Sequence, residues 1–413
     1  MSNPLHERLT GWIDAHFEAQ VAFLQDVVRI PTDTPPGDNA PHAEAVAAML
    51  EAAGWPVQRH AVPARDVHDH GLESITNLIV RRRYGERGPT LALNAHGDVV
   101  PPGEGWTRPP YGATVEDGYL YGRAAAVSKS DFATYVFALR ALEALGVPLS
   151  GAVELHFTYD EEFGGLLGPG WLLAQDLTRP DYVIAAGFAH GIVTAHNACL
   201  QLEVTVHGRA GHGAMPETAL DALQAATRVL NAIYGELPAL ARIRSSVPGI
   251  GSPTMIVGRI DGGTNTNVVP GKVVLRLDRR MIPEEDPAAV ESRVRALVED
   301  AVRALPGIRL GIRRLLLSQA LRPLPGVAPL VESLQRHGRA VLGHDIPAHG
   351  TPLYADARLY GERGIPAVLY GAGPRTVEES NAKKADERLL LDDLRGATKV
   401  VALTLLDFLG PRD

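Results

Sequence analysis

The sequence predicts an α/β protein of two domains, in which a mixed sheet flanked by helices is interrupted by an α+β insertion. Three observations lead there. The chain has 413 residues, more than one hydrophobic core usually supports. Strand-like and helix-like segments alternate through its first half. From residue 199 to 316 a different pattern of strands and two helices appears, after which the first pattern returns.

Residues 7–30 carry apolar side chains at helical spacing (Leu9, Trp12, Ile13, Phe17, Val21, Leu24, Val27, Val28), which predicts a helix. The run Pro31-Thr-Asp-Thr-Pro-Pro-Gly37 ends it as a loop. A second helix is expected over 41–54, then strands over 76–82 and 89–95. A helix over 131–145 follows, with Asp131 placed to cap its N-terminus. The apolar run 153–159 reads as another strand. The insertion reads strand 200–206, helix 219–234, strands 253–260 and 272–279, helix 287–305 and strand 309–316. A helix over 328–341, a loop over 343–353, a strand over 366–370 and a helix over 391–409 complete the chain. The boundaries expected are therefore 1–198 and 317–413 for the first domain and 199–316 for the insertion.

Composition narrows the function. Hydrophobic residues make up 45% and charged residues 21%, as in ordinary globular proteins. A net charge of −8 argues against a nucleic-acid partner, which would call for a basic face. No apolar run reaches membrane-spanning length, and Met1–Arg8 lacks the basic-then-apolar pattern of a secretory leader. A cytoplasmic protein is the expectation. Cys199 is the only cysteine, so an internal disulfide framework and a four-thiolate zinc site are both excluded. Any metal must rest mainly on His, Asp and Glu.

Two segments carry the chemistry. In Leu93-Asn-Ala-His96-Gly-Asp98 an apolar run delivers a histidine and, two residues on, an aspartate. In extended backbone these emerge on one side, so Asp98 can accept the spare ring N–H of His96 or share its cation. The run 153–159 ends in Asp160, Glu161 and Glu162. Adjacent acids repel, and need a cation, a proton or strong donors close by. Either segment alone is better explained by a structural histidine or a solvated acidic turn; the two together favour a site. Elsewhere, His68 and His70 read as solvated loop histidines and His207 as a strand-edge residue. Cys199 reads as a small buried hydrophobe, and Gly262-Gly263 lacks the Lys-Ser/Thr of a phosphate loop.

Taken in order, these motifs resemble the zinc aminoacylase, acetylornithine deacetylase, succinyl-diaminopimelate desuccinylase and glutamate carboxypeptidase family over nearly the whole chain. The likeness also runs through Asp117-Gly-Tyr-Leu-Tyr-Gly122-Arg123, Gly208-Arg-Ala-Gly-His212, Gly262-Gly-Thr-Asn-Thr-Asn267, Arg280, Asp356-Ala-Arg358 and Gly371-Ala-Gly373-Pro374. The resemblance implies a catalytic domain in two chain segments and an inserted dimerisation (lid) domain. It implies hydrolysis of an amide bond in a small N-acyl amino acid or dipeptide by a homodimer. Glu161 would be the general base, with Asp98 beside His96 in the catalytic group. Glu162 and His96 would hold different metal ions, zinc or another divalent cation. His212 would meet the oxyanion, and Asn267, Arg358 and Arg280 would hold a substrate carboxylate or carbonyl. Arg375, just after the 371–374 segment, reads as an anion-binding side chain or equally as a surface ion pair with Glu378 or Glu379.

The sequence departs from that family at the metal. Valine (Val127) stands where the bridging aspartate is expected, glycine (Gly187) at a further acidic position, and lysine (Lys383) in place of the last histidine. Three of five expected ligands are thus replaced, whereas a catalytic zinc takes about three protein ligands plus water. Three accounts stay open. Other ligands could be recruited, among them Asp98, Asp131, His190 and His196. A metal-independent enzyme could use Glu161 and Lys383, the protonated lysine placing its charge close to Glu162 where an ion would be. Lys129 and Ser128 are further candidates, although the run 128–130 reads better as a capping segment before the 131–145 helix. A small-molecule-binding relative could have lost chemistry.

Overall fold

The computed structural model describes residues 3–411 and divides into two compact units. The terminal residues of the 1–198 and 317–413 segments, and the start of the Met1–Arg8 stretch, lie outside the described residues. The first unit runs to Thr194 and includes Pro323–His349 and the chain from Ala355 on; the second is Ala195–Arg322 with Gly350–Tyr354. The second unit thus starts four residues earlier than the pattern change at 199 and ends beyond 316. It also takes a short stretch from the expected 343–353 loop.

The central sheet is mixed. In spatial order its strands are Val57–Ala61, Thr76–Arg83, Ala152–Thr158, Thr90–His96, Tyr182–Ala185, Ala367–Leu369, Ile192–His196 and Ala348–Thr351. Thr90–His96 is parallel to both of its neighbours, whereas Thr76–Arg83 is antiparallel to Val57–Ala61 and to Ala152–Thr158. All seven residues of Ala152–Thr158 are buried, the mark of a strand covered on both faces. The helix Lys129–Ala144 packs on these central strands and against the terminal helix Leu391–Leu409. His96 and the acidic run therefore lie at the carboxyl ends of adjacent parallel strands, where open α/β sheets usually place ligands.

Several expected elements differ in detail. The helix read over 7–30 is two helices, Pro4–Ala15 and Phe17–Val28, parted at His16. His68 and His70 belong to a short helix, Ala64–Asp69, and its C-cap rather than to a loop. The long buried helix starts at Lys129, with Ser128 as its N-cap. Asp131 does not cap it: its carboxylate accepts backbone N–H groups of Ala372 (2.7 Å) and Gly187 (3.2 Å).

The second unit has its own core. Four antiparallel strands, Thr254–Gly262, Lys272–Met281, Ala198–His207 and Arg309–Ser318 in spatial order, carry the helices Ala222–Leu240 and Pro287–Val302. Ala198–His207 and Lys272–Met281 alternate buried and partly exposed residues, as expected of a sheet packed on one face. Cys199 is fully buried.

Candidate active site

The first unit gathers His96, Asp98, Glu161, Glu162 and Lys383. His96 ends its strand, and its Nδ1 lies 3.0 Å from the Asp98 carbonyl oxygen and 3.4 Å from Asp98 Oδ1. Asp98 is fully buried, and its carboxylate accepts the N–H groups of Glu161 (3.2 Å) and Glu162 (2.9 Å). It therefore fixes the short 3-10 turn Glu161–Phe163 that follows the central strand. That turn sets Glu161 Oε2 3.9 Å from His96 Nε2. Glu162 Oε2 accepts from Lys383 Nζ at 2.6 Å.

The electrostatics follow from this crowding. Burial disfavours a charged His96, but the Glu161, Asp98 and Glu162 carboxylates outweigh it and lift the imidazole pKa to about 10. Burial lifts the Glu161 carboxyl to about 7, with Glu162 and Asp98 adding to the rise and His96 and Lys383 opposing it. Lys383 is raised as well: burial opposes its charge, and the Glu162 and Glu161 carboxylates prevail. Two further acids complete the cluster. Burial lifts Asp160 to about 7 and Asp356 well above the carboxylate range, Asp356 also facing Glu161 and Asp160. In the sequence Asp356 stands only within the Asp356-Ala-Arg358 match, with no role of its own.

The remaining candidates are dispersed. Arg358 is 2% exposed and donates to the Gly164 carbonyl, with Glu362 3.7 Å away. Arg375 is exposed and lies 3.4 Å from His190, whose other ring nitrogen meets Asp393 at 2.9 Å. In the second unit His212 and Asn267 are exposed neighbours, joined through Gly213 N–H to Asn267 O (2.8 Å) beside the two-stranded pairing of His212 with Val268. Arg280 is paired there with Asp278 at 2.7 Å. Ser128 accepts the His96 N–H at 3.0 Å, and Lys129, fully buried, donates to the Ile30 carbonyl at 2.7 Å. Burial lowers the Lys129 pKa to about 7.

The residues present do not fit a two-metal centre. Val127 offers no donor at the bridging position. At Gly187 a Cβ would lie 2.6 Å from Tyr370 N and 2.7 Å from the Leu369 carbonyl carbon, so a ligand side chain has no room. The substitutes are engaged elsewhere: Asp131 with backbone N–H groups, His190 with Asp393 and His344, His196 with the Asn197 carbonyl. Among the described residues no three His, Cys, Asp or Glu side chains are arranged to hold a metal ion.

Residues 92–407 match the family described as peptidase family M20/M25/M40. The chain belongs to that family, and is a hydrolase of it. It is 29% identical over 378 residues to an acetylornithine deacetylase of Myxococcus xanthus, covering 91% of this chain and 93% of that one. It is also 29% identical over 413 residues to a succinyl-diaminopimelate desuccinylase of Bordetella petrii, covering 95% and 99%. Its fold is similar to that of human carnosine dipeptidase 1, with a TM-score of 0.79 at 18% identity over 99% of each chain.

Proposed function

We propose that the protein hydrolyses an amide bond in a small N-acyl amino acid or dipeptide, with Glu161 as the group that moves the proton. The observation that carries this is the placement of the part-buried Glu161 carboxyl 3.9 Å from the His96 imidazole, both braced by Asp98. Glu161, with a pKa near the working pH, is matched to taking a proton and giving it back. It accepts one from water as the water oxygen bonds to the carbonyl carbon, then delivers it to the nitrogen as the C–N bond breaks. His96 and Lys383 supply positive charge beside the developing oxyanion. The two relatives named above, a deacetylase and a desuccinylase, support an N-acyl amino acid as substrate. His212, Asn267 and Arg280 keep the substrate-holding roles implied by resemblance, with His212 as oxyanion donor, whereas buried Arg358, bound to the Gly164 carbonyl, acts through that backbone. Arg375, exposed in the first unit, is suited to a substrate carboxylate.

Glu161→Gln keeps the shape and removes the proton carrier. Turnover of a panel of N-acyl amino acids and dipeptides is expected to fall by roughly 10²–10⁴-fold. An unchanged rate would sink the mechanism. The replaced metal donors favour one second reading, a small-molecule-binding relative without chemistry. Calorimetric binding of panel members with no turnover in the wild type would establish it.

We also propose that the second unit pairs with a second copy of the chain. Its support is the exposed apolar surface of the sheet-edge strand Thr254–Gly262, with Ile256 and Ile260, and of the helix Ala222–Leu240, with Leu223 and Tyr234. An unpaired sheet edge with exposed apolar side chains favours association.

A further inference from the structure

We infer that the resident cation of this site is the Lys383 ammonium: the chain carries as a side chain the positive charge that metal ions supply elsewhere in the family, and it holds no divalent metal there. For catalysis this rests on the hydrolase reading above; for metal content it stands without it.

The donor set is the first argument. Lys383 Nζ sits 2.6 Å from the Oε2 of Glu162, the carboxylate that resemblance assigns to a metal. An ammonium at that distance takes the oxygen lone pair a metal would need. Both oxygens of Asp98 accept backbone N–H groups. Gly187 has no space for a side chain, and Val127 brings only carbon. His96 Nε2 and the Glu161 carboxyl lie 3.9 Å apart, and among the described residues no three His, Cys, Asp or Glu side chains are arranged to hold a metal ion, fewer donors than a catalytic zinc requires.

The backbone around Lys383 is the second. Lys383 itself has φ 61°, and Asn381 and Asp386 are also left-handed, at 52° and 53°. Such a conformation is disfavoured for a residue other than glycine, Asn and Asp tolerating it best, and at Lys383 it persists only where surroundings impose it. They do so here. The Asp386 carboxylate accepts the N–H groups of Thr107 (3.0 Å) and Arg108 (3.3 Å). Glu387, 2% exposed, pairs with the buried Arg123 at 2.6 Å and accepts the Lys383 N–H at 3.4 Å. A loop clamped at 386 and 387 thus presents Lys383 to Glu162. Although 63% of the lysine side chain is exposed, its charged end is turned to the 10%-exposed carboxylate.

The test begins with the whole wild-type chain. It is incubated with zinc, cobalt and manganese chlorides, desalted and analysed for metal. It is also melted with zinc chloride and with EDTA. The expected result is fewer than ~0.1 ion per chain and one Tm under both conditions, since a metal bound to the native state would raise Tm with its concentration. Lys383→Met removes the charge and keeps the length. It is expected to lower Tm, because Glu162 and Glu161 then lack a counter-charge, and to stay indifferent to zinc, because Val127 and Gly187 still bring no donor. Lys383→Arg is expected to restore the parent Tm. One or more ions retained by the wild type would overturn the inference, as would a Lys383→Met protein that melts with the parent. The wild-type measurements decide even if a variant fails to fold. A metal-free wild type that turns over none of the panel removes the hydrolase reading and leaves this one standing. An active wild type that retains zinc does the reverse.

Discussion

Gly187 shows how one backbone position limits what a site can hold. Its N–H donates to Asp131, its carbonyl accepts from Gly373 N–H at 2.8 Å, and a Cβ would strike Tyr370 N. The contact is with backbone, so no side-chain rotation relieves it. Gly187→Ala is therefore expected to destabilise the fold by about 1–3 kcal/mol, read as a lower denaturant midpoint with unchanged slope. An unchanged midpoint would mean that the Leu369–Tyr370 segment yields freely. The same hydrogen bonds explain why Asp131, attractive in the sequence as a helix cap or a substitute ligand, serves as neither. Burial also lifts its carboxyl to about 7.

The strand Ala152–Thr158 does more than carry the acids that follow it. It is buried throughout, yet it holds Glu154, which pairs with Arg81 (2.7 Å), His156 (2.9 Å) and the Thr178 hydroxyl (2.5 Å). Burial by itself would raise this carboxyl; the hydrogen bonds of His156, Thr178 and Arg81 and the His156 charge outweigh it and hold the pKa near 2. A carboxylate depressed on folding stabilises above its unfolded pKa of about 4.3 and loses that contribution as pH falls through the folded value. A shift of this size corresponds to about 3 kcal/mol. Glu154→Gln is expected to lower stability at pH 6 and to flatten the decline between pH 4 and 2. Parallel acid-unfolding curves for the two proteins would refute this.

In the second unit the edge strand and the helix Ala222–Leu240 leave Ile256 57%, Ile260 51%, Leu223 45% and Tyr234 48% exposed. An unpaired edge with apolar side chains invites association or aggregation. Sedimentation of the wild type is expected at twice the 44.2 kDa chain mass, and Ile260→Glu is expected to shift it to the monomer. A monomeric wild type at micromolar concentration would dismiss the pairing. Among the described residues no helix is long and apolar enough to cross a membrane.

Periodicity alone carried most of the architecture. Alternating strands and helices and the change of pattern in the middle of the chain were legible, because burial imposes a period of two on strands and 3.6 on helices. The short strands Val57–Ala61, Tyr182–Ala185, Ile192–His196 and Ala348–Thr351 of the central sheet were not, the last lying in the expected 343–353 loop. His96, Asp98, Glu161 and Glu162 were legible because spacing along a strand and its exit turn places them together locally. The replacements at Val127, Gly187 and Lys383 were legible as departures from a pattern. A lysine charge near Glu162 in place of an ion was also an expectation. The 2.6 Å contact itself, the lack of room at Gly187 and the place of Asp356 among the acids depend on contacts between segments far apart in the chain. The break at His16 and the start of the long helix at Lys129 also escaped periodicity. The first interrupts a continuous apolar face, and the second is set by the packing of Asp131 against distant backbone. Local patterns record which face of an element is buried; which distant group meets a given side chain is decided only when the chain closes on itself.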